Sequence, residues 1–151
     1  MDFIIANKLI EHLSNPISAL KNWYRHLRPG GCVVLTVPDK RYTFDKDRQK
    51  TTIQHLVEDY QASDEERQRR DLIHYIEQAE VIEKRTGKDA QDRAVELISS
   101  QCNIYYHCWD YSSFRTFVNF VTTDQETPYT ILRIAHFPGR WKFIFILGKA
   151  G

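Results

Sequence analysis

The stretch Asp2 to Asp39, DFIIANKLIEHLSNPISALKNWYRHLRPGGCVVLTVPD, constrains the fold more than any other. A short apolar run, a polar tip, an amphipathic segment, a Pro-Gly-Gly break and a second apolar run together describe one βαβ unit with a parallel strand pair. Phe3 to Ala6 is apolar throughout, as expected of a strand buried on both faces. Asn15 is the expected cap of the following helix and Pro16 its first residue, and Ile17, Leu20, Tyr24 and Leu27 fall on one stripe. Arg28 favours the negative end of that helix, Pro29-Gly30-Gly31 ends it, and Cys32 to Val37 is the second strand.

From Lys40 to Tyr106 the chain turns polar and helical. Ile53, Leu56, Val57 and Tyr60 make one apolar stripe, and Leu72, Tyr75, Ile76, Ala79 and Ile82 make another. Ala90, Ala94, Leu97 and Ile98 make a third, behind Gly87 and an Asp89 cap. The pattern predicts about three inserted helices. Asp110 caps a further helix with Phe114, Phe117, Val118 and Val121 on its apolar face. Tyr129 to Phe137 and Trp141 to Leu147, separated by Pro138-Gly139-Arg140, read as a β-hairpin.

Composition limits function. At 151 residues, 42% hydrophobic and with a net charge of +1, the chain has a core but no general electrostatic attraction for nucleic acid or an anionic membrane. It has neither a spanning-length apolar run nor a basic leader, which predicts a cytoplasmic protein. Cys32, Cys102 and Cys108 are read as reduced thiols. A metal site from Cys102, His107 and Cys108 lacks the spacing of a zinc motif, so no metal is expected.

Strand, LIEHLSNP, helix, LRPGG, strand, helical insertion, helix and hairpin resemble the second half of a class I S-adenosylmethionine-dependent methyltransferase. The resemblance implies an α/β fold, a partial Rossmann-like sheet in family strand order 4-5-7-6 with the last strand antiparallel. Residues 1–39 and 110–151 would form the core and 40–109 a helical cap. It also implies methyl transfer from S-adenosylmethionine to a small or medium polar acceptor. The family's glycine-rich loop and ribose-binding acid have no counterpart here, since Met1 falls just before the fourth strand. Half a cofactor site follows, with weak or no cofactor binding and an inactive chain, by natural truncation or a misassigned start. The alternative is a non-catalytic binding module, self-associating through the exposed N-terminal strand into a homo-oligomer.

By the same resemblance Asn7, at the tip of the first strand, faces the methionine portion of the cofactor; otherwise it satisfies the turn. Glu11 lies beside it, and the Glu11-His12 pair matches a place used for metal binding or proton removal in some relatives, although a polar turn explains it equally well. Asp39, Lys40, Arg41, Tyr42, Phe44 and Arg48 leave the second strand's tip, mixing charge with aromatics in a way that suits a polar substrate or a salt-bridged entry to the cap. His55 and Asp59, four apart, share a helix face on which Asp59 can orient His55 as a base. His107, with Trp109, stands where the insertion rejoins the core. His12, His55 and His107 are the candidate bases, while His26, His74 and His136 carry no usable pattern.

Overall fold

The computed structural model describes all 151 residues. Strands β1 (Phe3–Asn7), β2 (Cys32–Pro38), β3 (Tyr129–Ala135) and β4 (Lys142–Lys149) form one sheet in the order β1-β2-β4-β3. Only β1 and β2 are parallel; β4 runs antiparallel to both of its neighbours. This is the expected family order, and the chain adopts a mixed α/β fold compatible with part of a methyltransferase sheet.

Helix α1 (Pro16–His26) starts as its sequence dictates, with the Asn15 side chain accepting from Ser18 N at 3.0 Å. Its far end is closed from outside the helix: Lys149 Nζ donates to the carbonyls of Tyr24 (3.0 Å) and Leu27 (2.9 Å). The glycines that follow have separate reasons. Gly30 takes φ +76°, whereas a Cβ on Gly31 would lie 2.9 Å from the Asp2 carbonyl oxygen and 3.0 Å from that of Arg28. The turn therefore passes under the start of β1 only because no side chain is present.

Helix α5 (Tyr111–Thr122) contributes with α1 to the core on one face of the sheet, and Asp110 closes a capping box with Ser113. Between these helices and the sheet lies the main core, in which Leu20, Val33, Leu35, Phe114, Phe143 and Phe145 are fully enclosed. The other face has no helix. Phe3 and Ile5 are 61% and 62% exposed there, which corrects the expectation of a β1 buried on both sides. β3 is the opposite edge, where Leu132 forms a bulge and covers Gly148.

Between β2 and α5 come α2 (Ile53–Gln61), α3 (Asp64–Glu77) and α4 (Gly87–Ser99). α3 runs on into a wider turn, Gln78–Ile82, and α4 begins after Thr86 rather than at an Asp89 cap. Gly87 at φ +53° lets the chain reverse there. Tyr75, Ala94, Leu97 and Ile104 give this region a small core of its own. No helix is long and apolar enough to cross a membrane.

Candidate functional site

The carboxyl ends of β1 and β2 lie side by side, with Asn7 opposite Thr36 in the parallel register. In open α/β sheets this end of the strands is where ligands bind. β1 leaves the sheet through Lys8, held at φ +50°, and a single turn at Ile10–His12 anchored by fully buried Ile10. That turn is clamped by the segment after α4. His107 N donates to the Glu11 carbonyl (3.2 Å), and the ring nitrogens His107 Nδ1 and His12 Nδ1 donate to Leu13 O and Ile104 O, each at 2.9 Å.

Glu11 is 1% exposed, and neither carboxylate oxygen has a hydrogen-bond partner. Burial pushes its pKa up from 4.5 to about 7, against the opposing pull of a backbone hydrogen bond and Lys8. Because the His12 Nδ1 proton is committed to Ile104, Nε2 keeps its lone pair. Its ring meets the Tyr105 ring edge-on at 4.5 Å, and Tyr105 in turn packs against exposed Phe44 at 5.0 Å.

At the tip of β2 the Asp39 carboxylate is enclosed and holds Arg41 through Nε (2.9 Å) and Nη2 (2.7 Å). Lys40 N donates to the Trp109 carbonyl, and its ammonium to Lys46 O at 2.7 Å. Tyr42 is largely exposed beneath the Arg41 guanidinium. Arg48 lies deeper. It is bonded to Asp45 (3.0 Å), Glu77 (3.0 Å) and the carbonyls of Tyr105 and Tyr106, so most of its donors are already engaged within the chain.

A second centre adjoins the first through His107. Asp59 Oδ2 lies 3.1 Å from His55 Nε2 and 3.0 Å from His107 Nε2, while Arg70 Nε bonds Oδ1. Burial alone would raise the Asp59 pKa, but its close contacts with His107, His55 and Arg70 outweigh it and hold the carboxyl well below its usual range. The His74 ring stands edge-on to both His55 and His107, with centroids 5.1 Å from each. His55 and His74 border a cavity of about 170 Å³. The structure thus joins His107, put forward for its place where the insertion rejoins the core, to the His55–Asp59 pair put forward by helical spacing. It adds His74 and Arg70, for which the only signal was the i,i+4 pair awaiting partners. Cys102 and Cys108 stay outside the cluster; burial pushes the Cys108 thiol up to about 12, which makes it unreactive.

A family model described as a methyltransferase domain matches residues 1–124, ending before β3. No curated protein matches the chain. Among solved structures, a possible exported protein from Bordetella parapertussis aligns at 12% identity with a TM-score of 0.45, covering 99% of this chain and 39% of that one. The chain therefore spans well under half the length of that structure.

Proposed function

Because this chain belongs to the methyltransferase-domain family, we propose that it supplies one side of a cleft for S-adenosylmethionine-dependent methyl transfer to a small or medium polar acceptor. The observation that carries the reading is the joining of the two parallel strand tips to His12 and Tyr105 by the residue 104–109 segment. The cofactor brings an already activated methyl group, so the protein's main task is alignment. His12, fixed by the Ile104 carbonyl, offers Nε2 to a proton leaving the acceptor. Tyr105 and Phe44 give the acceptor a flat wall, and the Asp39-Arg41 pair lies at the neighbouring tip. Asn7 faces the cofactor, and the unpaired Glu11 carboxylate is a natural counter-charge for its cationic part.

The residues present fit the cofactor only on this side. β1 is an edge strand, and none of Gly30, Gly31, Gly87, Gly139, Gly148 or Gly151 follows the carboxyl end of a parallel strand, where a backbone cradle is needed. This chain alone should therefore bind weakly and be inactive. In an amide NMR titration with S-adenosylhomocysteine, shifts should be confined to Asn7–His12 and Asp39–Thr43. Shifts elsewhere with silent strand tips would sink the reading, and micromolar binding by calorimetry would refute the one-sided cleft.

The uncovered sheet face favours a second reading, in which the chain also works as a self-association module through β1. Phe3, Ile5 and Leu132 are exposed there with Cys32, Val34, Ile144 and Ile146 half-buried among them, and β1 has an unpaired edge. A second copy would cover both. Light scattering at high concentration should show a mass above the monomer that falls to the monomer on Ile5→Glu, and a monomeric parent chain counts against it.

A further inference from the structure

The tight grouping of His55, Asp59, His74 and His107 is not explained by methyl transfer. One candidate ligand atom from each lies within 4.8 Å of all the others. Two come from α2, one from α3 and one from the segment that follows α4, so the cluster ties together three separately folded pieces of chain. His74, His107 and Asp59 are 4%, 0% and 4% exposed. Three imidazoles gathered around a single carboxylate in so dry a place need a reason, since neutral histidine rings gain little from one another's company.

Hydrogen-bond direction narrows the reason. A carbonyl oxygen can only accept, so His107 Nδ1, 2.9 Å from Leu13 O, must carry the proton. In the neutral ring Nε2 then presents a lone pair, and it points at an oxygen of ionised Asp59 only 3.0 Å away. Two acceptors face each other unless a cation lies between them or the ring takes a second proton. His107 is fully enclosed, and a cation held between fixed ligands would pair both atoms there. The His74 ring, edge-on to both His55 and His107, makes no hydrogen bond. At the centre of the cluster, therefore, the His107–Asp59 contact lacks a proton of its own in the neutral ring.

We propose that His55, His74, His107 and Asp59 bind a single divalent transition-metal ion, with zinc the best fit. Imidazole nitrogens and one carboxylate oxygen are a zinc donor set, and bonds of about 2.0–2.1 Å set ligand atoms roughly 3.3 Å apart around a tetrahedral ion. The two ring nitrogens beside Asp59 Oδ2 already approach that spacing, at 3.1 and 3.0 Å. The ligand atoms, all within 4.8 Å of one another, need only draw together to complete the set. The surroundings are those of an oriented metal site: Leu13 O fixes the His107 tautomer, and Arg70 holds Asp59 through the other oxygen, Oδ1. Four protein ligands would close the sphere, so the ion would lock α2, α3 and the 104–109 segment into the clamp on the β1 exit turn. It would act on the strand-tip site by position, without touching the acceptor. Metal binding does not depend on the cofactor, so this inference and the methyltransferase reading can fail independently.

The test uses the whole chain. Purified from zinc-supplemented medium it should carry about one zinc ion per chain by elemental analysis. After chelation, added Co2+ should give the intense visible absorption of a four-coordinate site at a ratio of about one ion per chain. Chelation should also lower the melting temperature, with zinc restoring it. His74→Ala, at the edge of the cavity, should weaken metal binding by more than the roughly 10–100-fold that accompanies loss of a residue that only orients a ligand. A parent chain that holds no stoichiometric zinc and gives no such cobalt absorption overturns the proposal, whatever the variant does. Full zinc affinity in a folded His74→Ala chain overturns the assigned ligand set.

Discussion

Replacing Arg48 with Met is expected to destabilise the protein by about 3–5 kcal/mol, enough to unfold a domain of ordinary stability. The guanidinium is 3% exposed and is the sole side-chain cation bonded to Asp45, itself enclosed, while also holding Glu77 and two backbone carbonyls. Without it, Asp45 would be a buried charge with no partner. Burial already raises the Asp45 pKa despite Arg48, and losing Arg48 should raise it further. Urea unfolding followed by circular dichroism measures the loss, and Asp45→Asn on the same background should recover part of it. A loss below about 1 kcal/mol would show that the ion pair is effectively solvated. Arg48 came forward in the sequence as a substrate contact, yet this effect needs no substrate.

At Glu11 the expected effect has the opposite sign. In the unfolded chain its carboxyl titrates near 4.5, in the folded one near 7, because burial penalises the charge by more than its own backbone N–H and Lys8 relieve it. Between those values the folded protein holds a proton that the unfolded chain has released. This group's stabilising contribution is therefore fully present below about pH 4.5 and falls as pH rises to about 7, by roughly 3 kcal/mol in all. Glu11→Gln should remove that slope. At pH 8 the variant should be more stable than the parent by about 1–3 kcal/mol, since a buried amide retains some desolvation cost of its own. Denaturation midpoints at pH 5 and pH 8 test this, and parallel profiles for parent and variant would refute it. The same substitution should reduce the NMR shifts caused by S-adenosylhomocysteine, if Glu11 is kept unpaired for a cationic ligand.

The segment Asp2 to Asp39 could be read almost whole, because each of its features is local. Asn15 caps whatever helix follows, and Pro-Gly-Gly must end it. The hairpin and the helix starting after Asp110 were equally legible, since turn residues and a capping side chain act within a few positions. The expectation for β1 failed because an apolar run says that a strand can be buried on both faces, and only the arrangement of other elements says whether it is.

The candidate site divides the same way. By itself the sequence determined the strand-tip residues Asn7, Glu11, His12 and Asp39, and it paired His55 with Asp59, since strand ends and helical repeats place neighbours in the chain. Tertiary structure alone decided that His107 and His74 join that pair, that Arg48 meets Asp45 and Glu77, and that Glu11 meets nothing. His107 lies 48 positions from Asp59 yet 3.0 Å away. Contacts of that kind depend on how packed helices bring distant segments together, and periodicity along one element carries no record of them.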